Sequence, residues 1–130
     1  MKELENTLEF RLRYDKDGLV PVVTQDSKTK EVLILSFANK EAVMNTLETG
    51  IATYFSRSRK ELWVKGATSG DYLKIDSVRI NCEQNSLLYS VTPQGKGACH
   101  TKDEDGVTRS SCYYREIVGD AVKGYKLKII

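Results

Sequence analysis

The apolar positions of this chain gather into short runs separated by polar connections, and only one stretch carries a helical spacing. Residues 19–24 and 32–37 are rich in Val, Leu and Ile and flank a polar connection over 25–30, the pattern of a β-hairpin. Asn39 suits the cap of a following helix, with Glu41 in its first turn. Val43 and Leu47 share one face of that helix, and Gly50 suits a left-handed stop. Strands are expected again over 51–56 and 62–64, around a polar turn at 57–60. A further pair is expected over 72–82 and 87–92, joined through 83–86. A glycine-containing loop at 93–97 leads to Cys99, and a charged loop at 102–109 precedes a last strand over 112–118. The sum is an α+β class, mostly β: a small mixed-sheet domain with one principal helix. Periodicity leaves the order of the strands open.

At 130 residues the chain has the length of one domain, and 1–130 reads as a single domain. Hydrophobic residues at 40% and charged residues at 29% exclude collagen-like, low-complexity and strongly disordered classes. Lys and Arg number 20 against 18 Asp and Glu, a net charge of +2, where a general nucleic-acid binder would be more basic. No apolar run approaches the roughly 18 residues needed to span a bilayer. The opening Met1-Lys2-Glu3-Leu4-Glu5 lacks the apolar core of a signal peptide. A soluble, cytoplasmic protein with neither membrane nor nucleic acid as partner is expected.

Three cysteines, an odd number, argue against a disulfide scaffold, and a single histidine excludes a two-His zinc motif within one chain. The pattern is C-x16-C-H-x11-C through Cys82, Cys99, His100 and Cys112, without the C-x-x-C pairs of a zinc ribbon. Each cysteine falls at an expected strand end or loop, where separate segments can converge. Three protein ligands with an open fourth position is the arrangement of a catalytic zinc, whereas a free cysteine that is simply buried is the plainer alternative. For His100 a fourth ligand, a general acid–base and an ordinary hydrogen-bonded side chain all stay open. Ser56-Arg57-Ser58-Arg59-Lys60 and the later Lys65–Gly70 stretch combine cations, hydroxyls and glycines, as a phosphate site does. A solvated basic turn followed by a loop explains them equally, and the P-loop order is missing. If Asn81-Cys82-Glu83-Gln84-Asn85 is extended, 81, 83 and 85 share one side and Cys82 the other. Only Glu83 of those three is charged, so a magnesium ion would be held weakly; a polar turn is the alternative.

Assembled in order, these segments resemble the phosphoribosyl-AMP cyclohydrolase family of histidine biosynthesis. The likeness covers roughly 21–115 and rests on Val32-Leu33-Ile34-Leu35-Ser36-Phe37-Ala38-Asn39, Thr46-Leu47-Glu48-Thr49-Gly50 and Tyr54-Phe55-Ser56-Arg57-Ser58-Arg59. It continues through Leu62-Trp63-Val64-Lys65-Gly66, Thr68-Ser69-Gly70, Ala98-Cys99-His100-Thr101 and Ser111-Cys112-Tyr113-Tyr114-Arg115. The resemblance implies an intertwined homodimer whose zinc sites are shared between subunits, with Cys82, Cys99 and Cys112 as ligands. It implies hydrolytic opening of the adenine ring of phosphoribosyl-AMP between N1 and C6. Within it, His100 is expected to transfer protons, and Arg57, Arg59, Lys65 and Ser69 to bind the phosphates or sugars of the nucleotide.

The pattern also departs from the family. Its usual D-C-D-x-D run, which supports a magnesium ion, is here Asn81-Cys82-Glu83-Gln84-Asn85, with two of three carboxylates replaced by amides. Glu83 is what remains for a weak magnesium site. Ala67 and Asp71 flank the Thr68-Ser69-Gly70 triplet where the family often has Glu and His. The alternatives are a paralogous zinc hydrolase acting on another purine-like or heterocyclic nucleotide, and a non-catalytic zinc-stabilised dimer that binds a nucleotide.

Overall fold

The computed structural model describes residues 2–130. A short helix α1 (Lys2–Asn6), which the pattern does not announce, precedes the expected hairpin of β1 (Val20–Asp26) and β2 (Val32–Ala38). The two strands are antiparallel, from Val20 opposite Ala38 to Gln25 opposite Val32. Asp26 builds the turn: its carboxylate accepts the N–H groups of Lys28 and Thr29 at 2.8 and 3.0 Å. Next come α2 (Lys40–Thr49), the hairpin β3 (Thr53–Ser56) and β4 (Glu61–Val64), then β5 (Leu73–Ile80) and β6 (Leu87–Pro93). A last hairpin, β7 (Arg115–Asp120) and β8 (Gly124–Ile129), ends the chain.

Four strands form one mixed sheet in the order β2-β1-β6-β5, in which β1 and β6 are parallel and the outer pairs antiparallel. Alternation selects the core: Val20, Val22 and Thr24 of β1 and Leu87, Tyr89 and Val91 of β6 are buried, while their neighbours are half-covered or exposed. Against this face pack Leu33 and Ile34 of β2, Ala42 and Val43 of α2, Tyr54 of β3 and Leu73 of β5. Helix α2 is capped as its sequence suggests. Asn39 Oδ1 accepts the Ala42 N–H at 2.9 Å, and Gly50 closes the helix at φ 72° with its N–H on Thr46 O.

Three expectations are corrected. Leu47 is 48% exposed, because α2 turns Ala42, Val43 and Thr46 to the core instead; the Thr46 hydroxyl is satisfied there by Ala42 O at 2.9 Å. The run 72–82 stops pairing at Ile80, leaving Cys82 in the β5–β6 turn. The last strand is not 112–118 but Arg115–Asp120, and its partner is β8, which the sequence reading leaves out. Among the described residues, no helix is long and apolar enough to cross a membrane.

Candidate active site

A pocket of about 660 Å³ opens between β2, the β3–β4 hairpin and the loop after Cys99. Arg57, Arg59, Trp63 and His100 line it, with Phe37 and Phe55. Its basic rim is held by the tight β3–β4 turn. Ser56 Oγ accepts the Arg59 N–H at 3.2 Å, and the Arg57 guanidinium lies 3.9 Å from the Phe37 ring centroid, a cation–π contact that fixes its aim. Trp63 stands opposite Tyr54 across the hairpin, ring centroids 5.3 Å apart, and keeps 38% of its surface exposed. An apolar ring platform beside two guanidinium groups is suited to a ligand that carries both an aromatic ring and phosphate.

Behind His100 lies a pair of thiols. The segment 98–101 pairs with 109–110 through Ala98 N–H to Ser110 O, Cys99 N–H to Arg109 O and Arg109 N–H to Thr101 O. Residue 97 must be glycine for this approach, because a Cβ there would run into the Arg109 carbonyl. Cys112 N–H then donates to Leu33 O at 2.8 Å, and the Ser111 hydroxyl to Val32 O at 2.6 Å, seating the second thiol along β2. The two thiols act on each other's titration. Burial acts to raise the Cys99 thiol, but the Thr101 hydroxyl and N–H, the Cys112 thiol and the Arg109 guanidinium outweigh it, and its pKa falls below the ordinary value. Cys112 is pushed up to about 11, first by burial of its sulfur and then by Cys99, with the Lys65 ammonium opposing. Two thiols held on neighbouring loop segments are donors of the soft type that zinc accepts.

The third thiol is elsewhere. Cys82 is exposed in the turn before Leu87, which is level with Val22 near the start of β1, on the β5–β6 side of the sheet. Cys112 lies along β2 on the other side, at least two strand spacings or roughly 10 Å away. Among the described residues, no three His, Cys, Asp or Glu side chains gather as a metal site. Thiols are the donor chemistry zinc takes, but within one copy Cys82 stands apart from Cys99 and Cys112. The 81–85 stretch is a turn, not extended, with Gln84 at φ 50°. Its oxygens are engaged: Asn81 Oδ1 accepts the N–H groups of Asn85 and Ser86, Asn85 Oδ1 accepts from Asn81 Nδ2, and Glu83 faces Arg13 at 3.9 Å. This stretch does not fit a magnesium ion.

Of the expected ligand-binding residues, Arg57, Arg59 and His100 share the pocket. Lys65 and Ser69 do not line it. Lys65 is buried, its charge acting on Cys112 and on Asp71. The Ser69 hydroxyl accepts the Asp71 N–H at 3.2 Å. Asp71 is held below the usual carboxylate range first by the Lys96 N–H, against a small burial cost, with Ser69 and Lys65 adding to it. Sequence reasoning did not single out Thr101, Arg109 or Trp63. A threonine two residues after a cysteine is the signal for the first, since its hydroxyl can reach back; the Arg109 contact depends on the 98–110 pairing and has no local signal.

The family model for phosphoribosyl-AMP cyclohydrolase matches residues 34–114. The phosphoribosyl-AMP cyclohydrolase of Archaeoglobus fulgidus is 50% identical over 114 residues, covering 88% of this chain and 99% of that protein. That of Hyphomonas neptunium is 47% identical over 115 residues, 88% of this chain and 82% of its relative. The histidine biosynthesis bifunctional protein HisIE of Aquifex aeolicus is 42% identical over 114 residues, 88% of this chain and 53% of its own length. With the mostly β fold and its pocket, these matches define a hydrolase that acts on a cyclic amidine. The chain belongs to the phosphoribosyl-AMP cyclohydrolase family.

Proposed function

We propose that this protein hydrolyses the C6–N1 bond of phosphoribosyl-AMP in a zinc-dependent step of histidine biosynthesis. The observation that carries the reading is the common opening of His100, Arg57 and Arg59 onto one pocket, with His100 directly following a thiol of the Cys99–Cys112 pair. Cys99 and Cys112 of one copy and Cys82 of a second would hold the zinc, so the working form is a homodimer. Free thiols in this arrangement suit a reducing compartment, the cytoplasm.

A ribosyl group on N1 makes the purine amidinium-like, so C6 is electrophilic and N1 is a leaving group. When bound, zinc supplies the Lewis acidity that makes hydroxide available at neutral pH. Arg57 and Arg59 bind phosphate at the pocket rim and turn the substrate so that C6 faces the thiol side. The Trp63 face receives the ring. His100 takes a proton as water adds to C6 and returns it to N1 as the C6–N1 bond breaks, a role imidazole can fill near neutral pH. Lys65 and Asp71 act behind the thiols rather than on substrate. No step is assigned to magnesium.

The test is turnover of phosphoribosyl-AMP by metal-defined protein, followed by the absorbance change of ring opening. Zinc chelation is expected to abolish turnover and zinc to restore it, with magnesium omission of limited effect. His100→Ala should keep its zinc and lose roughly 10²–10⁴ in rate, while Cys99→Ser should lose the metal. Full activity after verified zinc removal refutes the proposal. Turnover of another purine-like nucleotide with phosphoribosyl-AMP untouched moves the chain to a paralogous activity.

A further inference from the structure

The turn that carries Cys82 has almost no packing of its own. Asn81, Cys82, Glu83 and Asn85 are exposed, and Gln84 alone among them is buried, at 4% exposure. Gln84 also holds a left-handed backbone, φ 50°, uncommon for a residue without glycine's freedom. Its partners are in the segment 9–13. Gln84 Oε1 accepts the Arg11 N–H at 2.7 Å, its Nε2 donates to Glu9 O at 3.1 Å, and its own carbonyl accepts the Arg13 N–H at 2.7 Å. Arg13 then reaches over the turn, donating from Nε to Glu83 O at 3.0 Å. The segment is itself anchored, because Leu12 and Tyr14 pack against the core while the alternating Arg11 and Arg13 turn outward. Asp15 fixes its far end through the N–H groups of Asp17 and Leu19.

Residues 9–13 lie outside the span 34–114 that the family model matches. We infer that this segment is a strap that sets the conformation of the Cys82 turn, with Gln84 as the positioning residue that presents the Cys82 thiol for metal binding. The inference rests on the zinc reading above. Where the turn offers no free carboxylate set to a cation, hydrogen bonds from the strap give it a single shape. An exposed turn that fluctuates offers its thiol in many directions, and a ligand shared between two copies must arrive in one; ordering it beforehand removes that cost from metal binding.

The experiment uses the full chain, with zinc affinity read by competition against a chromophoric chelator and amide hydrogen exchange read on the metal-free protein. Gln84→Gly removes both side-chain bonds while accepting the positive φ, so the backbone is not strained. Its Arg11 amide is expected to exchange at least tenfold faster and its zinc dissociation constant to rise about tenfold, with the unfolding temperature nearly unchanged. Arg13→Ala, at a side chain 45% exposed and safe for folding, should weaken zinc several-fold in the same direction. Faster exchange with wild-type zinc affinity in both variants overturns the inference, as does unchanged exchange in Gln84→Gly. Wild-type protein that takes up no zinc sinks the preceding metal reading; tight wild-type binding that both variants match sinks the strap alone.

Discussion

Tyr54 and Thr24 are fully buried, and their hydroxyls meet at 2.7 Å in the core. Phenylalanine at 54 strips the fully buried Thr24 hydroxyl of this partner, which costs about 1–3 kcal/mol. Valine at 24 does the same to the Tyr54 hydroxyl, with little change of volume. Thr24→Val with Tyr54→Phe removes both polar atoms together and should cost no more than either single change, roughly 0–1.5 kcal/mol. The cycle therefore closes with a coupling at least as large as one single change, about 1 kcal/mol or more. Burial, against the Thr24 bond, raises the Tyr54 phenol far above its ordinary pKa, so it stays neutral and pH does not confound the comparison. The chain's one tryptophan reads the transition, since Trp63 packs on Tyr54. Urea midpoints taken at one protein concentration should fall by on the order of 1 M for a 2 kcal/mol loss. Single variants within 0.5 kcal/mol of wild type, or a double variant equal to their sum, refute the reasoning.

Trp63→Leu should raise KM for the nucleotide by tenfold or more with a smaller change in kcat, while Trp63→Phe retains most binding; in the wild type, AMP should quench tryptophan emission and ribose 5-phosphate should not. Gly97→Ala should destabilise by about 1–3 kcal/mol, measured by urea unfolding, because the new methyl meets the Arg109 carbonyl. Asp76 is held below the usual carboxylate range first by the Thr92 hydroxyl and then by that of Ser27. A depressed carboxyl stabilises the fold above its unfolded pKa and loses that contribution as pH falls through the folded one. Asp76→Asn should thus be less stable than wild type at pH 7, and the difference should shrink as pH falls from the ordinary carboxylate range through the depressed pKa.

The β1–β2 hairpin and α2 were legible because their signals are local: polar residues between two apolar runs, an asparagine cap and a glycine stop. The exposure of Leu47 was not, since 43 and 47 share a helical face but the sheet meets the helix along 42, 43 and 46. The strand β8 alternates Tyr125, Leu127 and Ile129 against Lys126 and Lys128, a pattern as clean as that of β1. It pairs with β7 instead of joining the main sheet, and periodicity is silent on partners. At the site, residue types pointed to the thiols and to His100, and the structure brings two thiols together. Spacing alone carries no information on which cysteines meet within one chain, because Cys112 is seated by Leu33 of β2, far away along the sequence. Of the two readings of 81–85, extended strand and polar turn, the turn holds, because Gln84 gains more from the 9–13 strap than from an extended backbone.

The pairing of 98–101 with 109–110 has a practical consequence for engineering. Between its rungs, residues 102–108 leave and return at one place, joined at the neck by the Lys102–Thr108 bridge, with Asp103 Oδ1 accepting the N–H groups of Asp105 and Val107. Lengthening a surface excursion costs only a logarithm of its size when its ends are already pinned. A peptide tag or fluorophore-bearing insert placed at Gly106 should therefore leave turnover intact, giving a label six positions along the chain from His100 without disturbing the groups on either side.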